Sequence, residues 1–167
     1  MDIKQAFEHL EGNKIFRNWR KSNKSDYFSY AFKILMENRD DDWQIGFYNK
    51  KKDKITTFIL ENSGVSIRKD EEVFKKDETK VMEVELNNVK LNFYETMEKA
   101  NSFKKEKYPK EASIKIIAIL QNTEKFGTVW NITFITESFN ILNIKIAASN
   151  GKILEEKLEP IISFKKD

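Results

Sequence analysis

His9 is the one histidine in this chain of 167 residues, and there is no cysteine. A thiol nucleophile, a thiolate metal site and a disulfide framework are therefore excluded. A Ser-His arrangement or a zinc site would have to be built around one imidazole with carboxylates recruited to it, and His9 reads as a half-exposed residue of an amphipathic helix. Asp40-Asp41-Asp42 could hold a hard cation, yet three consecutive acids lack the alternating ligands and the glycine of a calcium loop and read as a solvated turn. Glu83 and Glu85 share a face if their segment is a strand, with Glu71 and Glu72 nearby. Acid–base work by such a pair needs a pocket that drives the two pKa values apart, and no sequence feature supplies one. The five glycines form no phosphate-cradling loop. These residues predict no catalytic group, no cofactor and no metal.

Composition narrows the classes further. The chain carries 30 basic and 27 acidic residues, a net charge of +3, with 40% hydrophobic and 13% aromatic residues. Such a mixture describes a core under a solvated mixed-charge surface, not a nucleic-acid footprint. The basic runs Lys50-Lys51-Lys52 and Lys104-Lys105-Glu106-Lys107 are compensated by nearby acids, so weak nucleic-acid binding through Lys-rich turns is the lesser reading. The first residues lack the apolar segment of a signal peptide, and the densest apolar run, Ile114 to Leu120, is too short to span a membrane. The expected compartment is the cytoplasm, unless a leader has been removed.

The elements that would position any site repeat. Trp43-Gln44-Ile45-Gly46-Phe47 is echoed by Trp130-Asn131-Ile132-Thr133-Phe134, and Ser63-Gly64 is echoed by Asn150-Gly151 at the same spacing. In the first half, Ile3, Phe7 and Leu10 and then Ile15, Phe16 and Trp19 have helical spacing, with Gly12 ending one helix and Asn13 capping the next. From Tyr27 the period becomes two, and Phe28, Tyr30, Phe32, Ile34 and Met36 are expected to face a core. A hairpin turn at 38–42, strands from Trp43 and from Ile55, and a short fourth strand around Val65 to Ile67 follow. In the second half a helix runs from about Asn92 to Lys107, with Asn92 as cap and Glu95 completing a capping box. Strands at 113–122, 129–136, 141–147 and 152–158 follow, the first pair joined by a loop over Thr123 to Thr128. The expected fold is α+β: a tandem duplication, residues 1–80 and 81–167, each a helix followed by an antiparallel β-meander with the helices packed on one sheet face.

Tyr108-Pro109, Ile116 to Leu120, Trp130 to Phe134 and the closing Asn143 to Leu154 together resemble a PepSY-type domain. Ala147-Ala148-Ser149-Asn150-Gly151 fills the place of that family's Asp-Ala-x-x-Gly turn, with Ala147 where the Asp stands. The resemblance covers Leu86 to Phe164, Ile3 to Phe74 looks like a diverged copy, and the whole is similar to small archaeal PepSY-domain proteins. It implies a non-enzymatic regulatory or inhibitory module associated with peptidases and membrane sensors.

One departure from plain alternation points to a contact surface. Ile117 and Ile119, on the second face of their strand, are joined by Ile135 on its neighbour, with Ala31 and Leu35 at the equivalent places of the first half. A sheet face open to water should be polar, so this one is expected to be covered, either by the first half or by another chain, with the two halves packed as one continuous sheet or back to back. Leu35, Ile117, Ile119 and Ile135 are thus the candidate interaction surface. The expected function is binding or regulation through a protein or peptide partner or a second copy, by sheet-edge addition or by the apolar face. A small ligand held between helix and sheet is a further alternative.

Overall fold

The computed structural model describes residues 1–36, 39–73 and 79–162. Three helices, α1 (Ile3–Gly12), α2 (Lys14–Ser22) and α3 (Phe93–Lys107), accompany nine strands. These are β1 (Tyr27–Met36), β2 (Arg39–Asp40), β3 (Trp43–Asn49), β4 (Lys54–Glu61) and β5 (Gly64–Glu72), then β6 (Ser113–Thr123), β7 (Gly127–Thr136), β8 (Asn140–Ala147) and β9 (Ile153–Pro160).

Local chemistry sets the helix ends as the residue types suggest. Asn13 closes α1 and caps α2 by accepting from the Ile15 amide, and Asn92 with Glu95 forms a capping box on α3. Asp2 caps α1 in the same way with Gln5, and its second carboxylate oxygen accepts from the Phe93 amide at the start of α3. One side chain thereby ties the two helices together.

The tandem arrangement of separate helix-plus-meander units is corrected by the sheet. All the strands belong to one antiparallel sheet in the order β5-β4-β3-β1-β6-β7-β8-β9, with β2 paired onto β1. The joint is the β1–β6 pair, which matches Tyr30 with Gln121 through Met36 with Lys115. The fold is α+β only in the broad sense of three short helices laid on one large sheet. All three helices contribute to a single core on one face: Ile3, Leu10, Phe16 and Trp19 from α1 and α2, Phe93 and Met97 from α3. Trp43 and Trp130 are buried there, as expected of core residues, at 2% and 0% exposure. Their rings, 6.3 Å apart, both contact Phe93.

Several boundaries differ from the expected ones. Asn38, Phe74 and Phe164 lie outside the described residues, and the expected turn at 38–42 instead contains β2. The loop expected at Thr123 to Thr128 is only Glu124 to Phe126, because Thr123 pairs with Gly127 and Asn122 with Thr128. The fourth strands are not short: β5 has nine residues and β9 eight. Glu83 and Glu85 do not sit on a strand; their segment runs past the end of β1, where the Val84 amide donates to the Phe28 carbonyl at 2.8 Å.

The largest correction is to the facing of β1. The register with β3 shifts between Phe28 and Tyr30, leaving Ser29 as the extra residue of a bulge, its hydroxyl donating to the Gly46 carbonyl at 3.1 Å. One inserted residue reverses every side chain beyond it. Phe28 faces the helices as expected, but from there Ala31, Lys33 and Leu35 do, and Tyr30, Phe32, Ile34 and Met36 turn to the opposite face.

Candidate binding face

The register of the strands defines the face that carries no helix. Phe32 pairs with Ile119, and Ile34 with Ile117, across the β1–β6 joint. One strand further out Phe32 is flanked by Gln44 of β3 and Ile119 by Asn131 of β7. Beyond these lie Ile59 on β4 and Lys145 on β8, then Ser66 on β5 and Glu155 on β9. Phe32, Ile34, Ile59, Ile117, Ile119 and Ile135 are all half-buried, and Met36 is 42% exposed. Among the described residues no helix lies over them, since all three pack against the other face.

Of the four residues singled out by sequence, Ile117, Ile119 and Ile135 share this face. Leu35 does not: it pairs with Ile116 and packs into the helix-side core. Ala31, buried completely, goes with it. The expected cover by the first half is overturned too, because that half extends the sheet sideways instead of lying on top of it. The residues that sequence reasoning missed, Phe32 and Ile34, were assigned to the core. No residue along β1 signals this, since Ser29 fits the alternation; the one hint is a glycine, Gly46, on the neighbouring strand, which leaves room for the Tyr30 ring.

That accommodation is tight. The Tyr30 ring lies on Gly46, where an added Cβ would stand 2.0 Å from a ring carbon. Its hydroxyl bonds Thr57 at 2.9 Å on the next strand. Tyr30 therefore seals one end of the apolar strip. Gly46→Ala is expected to cost about 1–3 kcal/mol by overpacking, and to become nearly silent in a Tyr30→Ala background. Denaturant unfolding of the four proteins of this cycle measures the coupling.

Burial pushes the Tyr30 phenol above its ordinary value, outweighing the opposing effect of its hydrogen bond with Thr57. The neutral phenol is thus favoured in the folded chain. Its contribution to stability is complete below the unfolded tyrosine pKa of about 10 and declines as pH rises beyond it. In an alkaline absorbance titration, the step removed by Tyr30→Phe should lie above pH ~10; removal of an earlier step would contradict the burial of this ring.

Polar groups border the strip. Asn143 donates to Asn131 at 2.6 Å and to Thr133 at 2.8 Å. Lys145 pairs with Glu155, and Lys157 with Glu159. The sheet edges are also charged: β5 exposes Arg68, Lys69 and Asp70, while β9 carries Glu155, Glu156, Lys157 and Glu159 and ends at Pro160. Such edges resist the addition of another strand.

Elsewhere polar side chains tie the elements together. Tyr108 and Lys107 both donate to Glu156, which holds the Glu156 carboxyl below and the other two groups above their ordinary values. Glu111 accepts from Thr136 and Asn140 and pins the β7–β8 turn. His9 is exposed on α1. Among the described residues no three His, Asp or Glu side chains gather as a metal site would require. No helix there is long and apolar enough to cross a membrane. One open cleft of about 420 Å³ lies between α2 and β5 beside Trp19 and Ile67, and another of about 350 Å³ lies beside Tyr27 and Tyr48.

No family model matches the chain, and no curated protein matches it. Among solved structures it is similar to the crystal structure of a putative lipoprotein from Clostridium difficile 630, with a TM-score of 0.53 and 14% identity over 87% of this chain and 90% of that one. At that identity the likeness concerns the fold.

Proposed function

We propose that this chain is a non-enzymatic binding protein that holds a protein partner on the helix-free face of its sheet. One observation carries the reading: Phe32, Ile34, Ile117 and Ile119, on the two central strands, form an apolar strip that no element of the described chain covers. An antiparallel sheet facing only water is polar on that side, and an uncovered apolar patch rimmed by polar groups is the usual form of a contact site. The charged edge strands direct a partner to the face and away from strand addition. A regulatory role connected with peptidases is what the resemblance to PepSY domains supports.

The test is capture from lysate by the tagged intact chain, beside Ile117→Asp/Ile119→Asp, with washes at rising salt. The reading expects protein retained through high salt by the wild type and absent from the variant. Equal capture by both contradicts it, as does no capture by either from a chain that is monomeric in solution.

A second reading, weak single-stranded nucleic-acid binding, draws support from Phe32, an aromatic on an open sheet as stacking requires. Lys145 and Lys157, the cations on its β8–β9 side, are already engaged by carboxylates. Retention that collapses with added salt would favour this reading over the first.

A further inference from the structure

We infer that the partner of the helix-free face is a second copy of this chain, the two sheets stacking face to face about a two-fold axis that runs parallel to the strands along the β1–β6 joint. The inference rests on the binding reading above and names its occupant. The layout of the centre of the face is the first argument, because its four middle strands are balanced about that joint. Phe32 and Ile119 meet at the centre and one strand out stand the uncharged amides Gln44 on one side and Asn131 on the other, while beyond them Ile59 and Ser66 stand on one side and Lys145 and Glu155 on the other. An isologous interface needs such self-complementarity. The axis sets Phe32 over Ile119 of the second copy and Gln44 over Asn131 of the second copy, so apolar meets apolar and amide meets amide.

Charge is the second argument. The same axis brings Ser66 of the β5 rim over Glu155 of the β9 rim in the second copy, with Arg68 two residues along β5 from that point and so beside a carboxylate. With 30 basic against 27 acidic residues, the chain has little net charge to oppose self-association. Area is the third. Eight strands at about 4.8 Å spacing and roughly 25 Å of strand length give a face of about 900 Å², against about 800 Å² per partner in a standard stable interface. Sheets stacked in this way lie about 10 Å apart, with strand directions within about 30°.

The absence of cysteine makes a clean test. Gln44→Cys and Asn131→Cys are prepared as separate full-length proteins, mixed, and treated with a short bis-maleimide. Sedimentation of the wild type and of Ile117→Asp/Ile119→Asp accompanies this over a dilution series. In one chain the two positions are three strand spacings apart, roughly 14 Å, and in the mixture each protein carries only one thiol, so a covalent dimer records the contact between copies. The inference expects a wild-type mass twice the monomer that falls to the monomer in the double variant. It also expects several times more covalent dimer in the mixture than in either cysteine protein alone. A monomeric wild type overturns it, as does a dimer that survives the double variant, or cross-linking as efficient in one cysteine protein alone as in the mixture. A monomer that captures a foreign protein in a manner dependent on Ile117 and Ile119 overturns only the second copy as occupant and leaves the binding reading standing. A monomer that captures nothing removes both.

Discussion

Trp130→Ala is expected to lower the stability of the chain by about 3–5 kcal/mol. Trp130 is fully buried, with its ring 5.9 Å from Phe93 and 6.3 Å from Trp43. Its indole N–H donates to the Leu91 carbonyl at 3.3 Å, just before α3 begins. Truncation removes the largest buried side chain where α3 meets the sheet, leaves a cavity that neighbours on α3 and on the adjoining strands cannot close together, and orphans a carbonyl. Because Trp43, from the other half of the chain, touches the same cluster, the loss should appear as one cooperative transition moved to lower denaturant with its slope retained. A loss below about 1 kcal/mol, or a split transition, would show that the helices and the sheet do not share one core.

The second large effect is on association. Ile117→Asp/Ile119→Asp places two carboxylates in the middle of the apolar strip, where Ile34 and Phe32 are their cross-strand neighbours. In the free chain both positions are half-buried, so their ionised groups reach water and the cost to folding should be modest, about 1–2 kcal/mol from lost packing and strand preference. In a closed interface the same carboxylates would be desolvated without partners. Affinity should drop by at least about 100-fold, the scale on which central interface residues act, while the melting transition remains cooperative. Thermal unfolding alongside a binding isotherm separates the two effects. A variant that binds as the wild type does excludes the strip as the contact.

The contrast between these substitutions follows from the face on which each residue stands, and facing is where sequence and structure part. Local signals were readable because their causes are local: Asn13 and the Asn92–Glu95 box cap helices through their own next few residues, and the alternation of period two delimits β1 from Tyr27 to Met36. The echo of Trp43 in Trp130 likewise located two buried rings. The bulge at Ser29 was not readable along β1, since Ser29 stands at a polar place of the alternation and a one-residue slip leaves that pattern intact while exchanging its faces. Lys33 added to the ambiguity: it lies at 6% exposure among the core residues, its ammonium over the rings of Trp43 and Phe93, where composition alone would put a lysine in water. The β1–β6 joint was hidden for a different reason. It pairs strands far apart in the chain with no turn between them, so no local residue announces it, and the choice between one continuous sheet and two halves packed back to back stayed open. Three of the four residues of the candidate surface survive this correction because β6 and β7 contain no shift over Ile117 to Ile135 that reverses them; Leu35, beyond the bulge, does not.

Side-chain footprinting tests most directly whether the helix-free face is the working surface. Hydroxyl-radical labelling of the intact chain, dilute and then associated, whether with itself or with a captured protein, reads Phe32, Met36, Ile117 and Ile119 against Tyr94 and Phe139, which are 56% and 74% exposed elsewhere on the molecule. The account predicts that the first four lose reactivity on association while Tyr94 and Phe139 keep theirs. Protection of Tyr94, Phe139 or the β5 and β9 edges with Phe32 and Met36 still labelled would contradict it, as would the failure of any associated form to appear.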